Sequence, residues 1–108
     1  MKKRFGSITK ITPEGLEQYK AYHANPLPGV NDMIKQCHLS NYSIYQRGEY
    51  MFSYYEYDGD DYEADMAKMA ADPLTQHWWS LVIPLMQPMD DHEGDGVWSE
   101  MLEIYHLD

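Results

Sequence analysis

The sequence is short of cysteine, of basic residues and of long apolar runs, and each shortage excludes a class of protein. Cys37 is the single cysteine among 108 residues, so no disulfide can form within the chain and we expect a cytoplasmic protein. No run is long and apolar enough to be a signal peptide or to cross a membrane. Eight Lys and Arg against eighteen Asp and Glu give a net charge of −10, so we expect neither nucleic acid nor a membrane surface as a partner.

The sequence also lacks the usual motifs for metals and cofactors. No glycine-rich phosphate loop, dinucleotide-binding fingerprint or nucleophile elbow is present. An EF-hand loop starting at Asp58 would need glycine at Glu63 and a closing glutamate at Met69, so the acidic stretch is not a calcium loop. Apart from His23, the histidines show no zinc-ligand spacing; they are His38, His77, His92 and His106. We therefore expect neither a cofactor nor a metal.

Residue patterning predicts one α+β domain over residues 1–108. Thr12 followed by Pro13 is a helix start, with the hydroxyl side chain as N-cap and proline at the first helical position. Two aromatic-rich runs joined by a short turn with glycine predict a hairpin. The predicted elements are a strand over 3–11, a helix from Pro13 to the break at Asn25, a helix over 30–38, strands over 41–46 and 50–57, helices over 61–71 and 74–86, and a strand over 98–106. This order predicts the ferredoxin-like split βαβ plan, an antiparallel sheet with helices on one face.

The helices of this plan leave the other face of the sheet uncovered. Aromatic residues make up 14% of the chain and fall largely in the predicted strands and the last helix, while the core of so short a chain is thin. Either a second subunit packed sheet to sheet or a cavity under the helices that a ligand fills would account for the aromatic-rich strands. We therefore expect a homodimer.

Tyr19 and His23 lie four residues apart and so share one face of the first predicted helix. Histidine titrates near neutrality and can exchange a proton with a ligand hydroxyl, while a phenol one turn away can orient that hydroxyl. The break rich in proline and glycine at 25–29 favours access from solvent. Taken alone, the pair is more typical of an ordinary amphipathic helix edge with its polar tips in water.

The tandem Trp78-Trp79 stands out because consecutive side chains on a helix point in different directions. One tryptophan can fill the core while the other covers a loop. Alternatively, the pair forms a flat wall on which a pyranose stacks, with an indole N–H donating to a sugar hydroxyl. Tyr42 follows Asn41 in a predicted strand, so the two face opposite sides and Tyr42 can point into such a site, although tyrosines in strands usually serve packing.

Together these segments resemble the L-rhamnose mutarotase family over nearly the whole chain. The matching segments, in order, are LEQYKAYH (16–23), NYSIY (41–45), QHWW (76–79) and SEMLEIY (99–105). The resemblance implies a dimeric ferredoxin-like α/β barrel and an isomerase that interconverts the α and β anomers of L-rhamnose without a cofactor or metal. It also implies that His23 is the proton donor and that Tyr19, Tyr42, Trp78 and Trp79 contact the sugar.

Two stretches depart from the family's usual pattern. After the histidine the family usually reads H-N-P-x-W-P, whereas this chain has an extra residue before Asn25-Pro26 and Leu27 where tryptophan is typical. His77 replaces the usual arginine before the tryptophans. These departures leave the identity of the sugar open, with L-fucose or another deoxy sugar as the alternative to L-rhamnose.

Two other functions remain open from the residues alone. A non-catalytic sugar-binding module would use the same tyrosines and tryptophans around an inert His23. A monooxygenase-like protein would share the dimeric ferredoxin-like plan, although nothing in the sequence specifies haem ligation. The ordered match of motifs favours the mutarotase.

Overall fold

The computed structural model of the protein describes residues 2–108. In chain order its elements are β1 (Lys3–Ile11), α1 (Pro13–Ala24), α2 (Val30–Gln36), β2 (Leu39–Arg47), β3 (Tyr50–Tyr57), α3 (Tyr62–Ala71), α4 (Pro73–Val82), a 3-10 turn (Ile83–Leu85), β4 (Met86–Gln87) and β5 (Ser99–Met101). No helix within these residues has both the length and the apolar composition needed to cross a membrane.

The strands form one antiparallel sheet in the order β2-β3-β1-β4, and β5 also pairs with β1. Strand β3 pairs with β1 along one side, over Lys3–Lys10. On the other side β1 pairs with β5 at Gly6–Ile8 and with β4 at Lys10–Ile11. This order, with the hairpin strand beside β1 and the last strands on its far side, is that of a ferredoxin-like split βαβ fold. The predicted α+β class and antiparallel sheet are confirmed.

Side-chain caps begin three of the four helices. Thr12 Oγ1 accepts a hydrogen bond from Gly15 N at 3.1 Å, with Pro13 in the first turn, as the sequence predicts. Asp61 and Asp72 cap α3 and α4 in the same way, by accepting from the backbone N–H three residues on. These local bonds set where the helices start, and therefore which of their faces meet the sheet.

Two predicted boundaries are wrong. The helix predicted to reach residue 86 ends at Val82, because Pro84 has no N–H to continue the helical ladder. The strand predicted over 98–106 is limited to Ser99–Met101. Met101 is 39% exposed and Ile104 is 90% exposed, so the tail that starts in β5 is not packed into the core.

The core lies between the helices and one face of the sheet. Met51, Ser53 and Tyr57 of β3 are buried on that face, as are Thr9 and Ile11 of β1. The alternate residues of the same strands, with Tyr45 of β2 at 67% exposure, point to the open face. The sheet therefore has one packed and one open side, as predicted.

Candidate functional site

A cavity of about 820 Å³ lies between the sheet and the helices. Its walls come from α1, α2, α4, the inner face of β1, β2 and β3, and the loop that precedes β5. All of the residues singled out in the sequence line this one cavity: Tyr19, His23, Tyr42, Trp78 and Trp79. The fold thus brings together residues from two helices and one strand that are up to sixty positions apart.

One ring nitrogen of His23 is hydrogen-bonded to a backbone carbonyl of its own helix, α1. The Nδ1 atom lies 2.9 Å from the carbonyl oxygen of Tyr19, and a carbonyl can only accept, so Nδ1 carries the proton. The neutral imidazole then has its lone pair on Nε2, which is free to interact with a ligand. His23 keeps an exposed edge, but partial desolvation lowers the pKa of its imidazole from the ordinary value, opposed by the hydrogen bond to Tyr19, and this favours the neutral ring.

Aromatic rings surround the imidazole. Its ring stacks on Tyr19 with centroids 4.1 Å apart and meets Trp78 edge-on at 5.1 Å. Tyr19 itself is buried, and this burial raises the pKa of its phenol, which keeps the hydroxyl protonated. Among residues 2–108 the Tyr19 hydroxyl has no hydrogen-bond partner, so it is available to a ligand in the cavity.

The two tryptophans have different surroundings. Trp78 is 7% exposed, belongs to the core cluster with Tyr19 and Val82, and touches the edge of Tyr22. Trp79 is less buried and packs at the border between the two core clusters of the protein. Both line the cavity, Trp78 as a core residue and Trp79 as the more accessible surface.

Tyr42 enters the cavity through a β-bulge. The register between β2 and β3 shifts between Ser40 and Ser43, and Asn41 has the left-handed φ of 50°. Asn41 Nδ2 donates to Glu56 Oε1 at 2.8 Å, while Tyr42 lines the cavity with its ring 5.3 Å from that of Tyr55. Desolvation there raises the pKa of Tyr42, so this phenol too is a neutral donor.

Neither residue that departs from the family pattern lines the cavity, but their surroundings differ. Pro26 lines it, but Leu27 turns away and packs against the core cluster. His77 is exposed and is not among the lining residues. The replacement at residue 27 therefore changes the support of the cavity rim rather than a wall of the cavity.

Several lining residues were missed by sequence reasoning. Trp98 and Val97 reach the cavity from the loop before β5, which Thr9 holds by donating to the Val97 carbonyl oxygen at 2.7 Å. Ser7 and Ser53 line it from the inner face of the sheet. No spacing along the chain relates Trp98 to Trp78, so the sequence held no signal for Trp98. Ser53 could have been identified, because the strand alternation that points Tyr55 toward the cavity also points Ser53 there.

The cavity contains no acidic side chain although the chain has eighteen of them. Among residues 2–108 its titratable lining groups are His23, Lys35 and three tyrosines, Tyr19, Tyr42 and Tyr55. Within the same residues no three His, Cys, Asp or Glu side chains are grouped so as to hold a metal ion. Histidine is therefore the one lining side chain that ordinarily changes charge near neutral pH.

A family profile and several relatives of known name point to the same family. The L-rhamnose mutarotase profile matches residues 4–107. An L-rhamnose mutarotase of Listeria monocytogenes is 26% identical over 106 residues, which cover 96% of this chain and 97% of that protein. A UPF0734 protein of Dictyostelium discoideum is 30% identical over 100 residues, covering 88% of this chain and 80% of that protein.

A solved structure is similar over the full length. The crystal structure of an L-rhamnose mutarotase from Formosa agariphila superimposes with a TM-score of 0.76 at 20% identity, covering 98% of this chain and 99% of the other. At this identity the likeness concerns the fold, while the profile match over almost the whole sequence concerns the family. The chain therefore belongs to the L-rhamnose mutarotase family of carbohydrate isomerases.

Proposed function

We propose that this protein interconverts the α and β anomers of L-rhamnose, or of a closely related deoxy sugar, with His23 as the acid and base. The observation that carries the proposal is the state of His23 in the cavity. Its Nδ1 is committed to the Tyr19 carbonyl, its Nε2 is free, and it is the lining group suited to proton transfer near pH 7. The family membership supports the sugar and the reaction class.

The reaction requires one proton to be removed from the sugar and one to be returned to it, so that His23 ends each ring opening in its starting state. Nε2 removes the proton from the anomeric O1 hydroxyl as the carbonyl forms at C1 and the bond from C1 to the ring oxygen breaks. The resulting imidazolium delivers a proton to the ring oxygen, which completes the open-chain aldehyde. Rotation about the C1–C2 bond and the same steps in reverse give the other anomer. A lowered pKa suits His23 to this cycle because the imidazolium returns its proton readily.

The other lining aromatics would orient the sugar. The indole rings of Trp78 and Trp79 provide an apolar surface for the C–H face of the pyranose. Tyr19 and Tyr42 remain protonated, since the pKa of each is raised, so each hydroxyl can donate to a sugar oxygen without competing for the transferred proton.

Exchange between anomers in an NMR saturation-transfer experiment on L-rhamnose tests the proposal. The wild-type protein should raise the exchange rate above the uncatalysed rate, and His23→Gln should lose about 10²- to 10⁴-fold of that rate, the usual worth of a positioned acid–base group. His77→Gln is the matched control because that histidine is exposed and outside the cavity. Wild-type exchange in His23→Gln, with the control equal to it, would refute the role of His23.

The same measurement on a panel of sugars identifies the substrate. L-rhamnose, L-fucose and common hexoses are compared at equal concentration. We expect the largest enhancement with L-rhamnose, and a larger one with L-fucose would assign the protein to that sugar. Binding of the sugars without any enhancement would instead identify a sugar-binding module.

We also propose that two chains pack through their open sheet faces. Tyr45 is 67% exposed on that face, and after β5 the tail leaves apolar side chains uncovered: Leu102, Ile104, Tyr105 and Leu107. Exposed apolar surface of this extent is typical of an interface. A second copy would bury both the face and the tail, as in the dimeric barrel implied by the family resemblance.

Sedimentation equilibrium tests the dimer. The wild type should show twice the chain mass of 12.7 kDa, and Tyr45→Lys should shift the protein toward single chains. Lys20→Ala, on α1 and away from the open face, is the control. A wild-type mass of one chain at micromolar concentration would contradict the proposal.

We also propose that residues 1–108 form a single domain, which should unfold in urea in one cooperative transition with the same midpoint by circular dichroism and by tryptophan fluorescence. A cytoplasmic location agrees with the free, buried thiol of Cys37. Fractionation of the producing cells tests it.

A further inference from the structure

Two serines face one another on the floor of the cavity. Ser7 of β1 and Ser53 of β3 are direct cross-strand partners, and both line the cavity. On its other side Ser53 is paired with Ile44 of β2, which also lines the cavity. The floor at this level is therefore a row across three strands in which two hydroxyls lie beside the apolar side chain of Ile44.

Neither hydroxyl is used by the protein. Ser53 is only 6% exposed, yet within residues 2–108 neither Ser53 Oγ nor Ser7 Oγ has a hydrogen-bond partner. Within these residues every fully enclosed side-chain oxygen has a hydrogen-bond partner. Because the two serine oxygens have no partner, each keeps some accessible surface, and both residues line the cavity. Buried hydroxyls ordinarily have partners, and an apolar residue at such a place would avoid the cost of desolvation.

The contrast with neighbouring residues is informative. Thr9, two residues after Ser7 on the same face of β1, donates to the Val97 carbonyl at 2.7 Å. Thr75, another buried hydroxyl that lines the cavity, donates to Asp72 Oδ2 at 2.8 Å. These hydroxyls hold parts of the fold together. Ser7 and Ser53 hold nothing within the chain, so their hydroxyls are available to a ligand.

We propose that Ser53, assisted by Ser7, forms a hydroxyl-recognition subsite that hydrogen-bonds a ring hydroxyl of the sugar. The inference rests on the proposed function and deepens it by naming residues that decide between sugars. The subsite lies on the sheet side of the cavity, whereas Trp78 and Trp79 lie on the helix side. A pyranose stacked on the tryptophans would thus turn ring hydroxyls toward the serines.

The spacing of the serines suits this task. Directly opposed residues of an antiparallel pair have Cβ atoms about 4.5–5.5 Å apart, so two hydroxyls on them can bracket one sugar hydroxyl or reach two adjacent ones. A hydroxyl both donates and accepts, which matches the two-way hydrogen bonding of a sugar hydroxyl. A sugar that lacks the matching hydroxyl would leave the serines unpaired again, and the site would bind it more weakly.

Binding titrations with Ser53→Ala and Ser7→Ala test the proposal. The ligands are L-rhamnose and three derivatives, each lacking the ring hydroxyl at C2, C3 or C4. Ser53→Ala should weaken L-rhamnose binding about three- to tenfold, the worth of one neutral hydrogen bond. Against one of the derivatives, the same substitution should cost nothing, because the interaction is already absent. Ser7→Ala should show the same dependence on the derivative with a smaller loss.

Ser80→Ala is the control. Ser80 is exposed on α4, its hydroxyl donates to the His77 carbonyl within the helix, and it does not line the cavity. The urea midpoint of both cavity variants should be at or above the wild-type value, because neither serine hydroxyl has a protein partner to lose and alanine avoids the cost of desolvating one.

Three results would overturn the proposal. One is an unchanged affinity of Ser53→Ala for L-rhamnose, and another is an equal loss for L-rhamnose and all three derivatives. A wild-type protein that binds none of the sugars would contradict the proposed function and this subsite together. If the wild type binds L-rhamnose without speeding exchange, the reaction is refuted while the titrations still decide on the serines.

Discussion

The imidazole of His23 stacks on the ring of Tyr19 one helical turn earlier, and its Nδ1 donates to the carbonyl oxygen of that same residue. The backbone of α1 thus decides which nitrogen carries the proton. Tyr19 and Trp78 lie against two sides of an imidazole whose remaining surface is exposed, and this partial desolvation disfavours its charged form. Tyr19 therefore sets the tautomer of the proposed catalytic group, and Tyr19 and Trp78 together lower its basicity.

The pH dependence of anomer exchange should show this control. His23 acts first as a base, so activity requires the neutral ring and falls as pH decreases through its pKa. Because burial lowers that pKa from the ordinary 6.5, the acid limb should have its midpoint below pH 6.5. Exchange rates corrected for the buffer-catalysed reaction at each pH measure it. A midpoint above 6.5 would contradict the neutral resting state of His23.

The two tryptophans should separate stability from affinity. Trp78 is a core residue, and replacing it by alanine would cost about 3–5 kcal/mol, a large part of the stability of a small domain. The milder Trp78→Phe should lower the urea midpoint clearly. Trp79→Phe should affect the midpoint less and weaken sugar binding more than it slows exchange at saturation. A loss of stability without a loss of sugar affinity in Trp79→Phe would refute the stacking role of Trp79.

The bulge at Asn41 should control the placement of Tyr42. At the left-handed φ of 50°, a β-branched residue is strained by at least about 1–2 kcal/mol, whereas glycine accepts it freely. Asn41→Val should therefore lower both stability and sugar affinity, and Asn41→Gly should keep affinity close to that of the wild type. Paired titration and urea unfolding of the two variants check this. Equal affinities would show that the bulge does not position the phenol.

Thr9 should act on the cavity through the loop that carries Trp98. Thr9→Val keeps the shape but leaves the Val97 carbonyl without its donor, at a cost of about 1–3 kcal/mol. Sugar affinity should fall as well, because Val97 and Trp98 form part of the cavity wall. Thr9→Ser retains the hydroxyl and is the control in urea unfolding and sugar titration. A Thr9→Val protein with wild-type affinity would limit Thr9 to a role in stability.

Sequence reasoning predicted most elements because their signals are local. The cap at Thr12 and the glycine-containing turn between β2 and β3 act within a few residues, and both features are present. It placed the end of α4 too late by overlooking Pro84, whose missing N–H ends the helix. It extended the last strand through Ile104 because alternation alone cannot show whether a partner surface exists.

The sequence by itself determined that Tyr19 and His23 share a helix face, since a spacing of four residues suffices for that. It also determined the family, through motifs spread in order along the chain. Only the tertiary structure decided that Tyr42, Ser53 and Trp98 meet these residues around one cavity. The physical reason is that a bulge, a strand pairing and a held loop join segments far apart in sequence. The lowered pKa of His23 also depends on tertiary structure, because Trp78, which lies against part of its ring, comes from another helix.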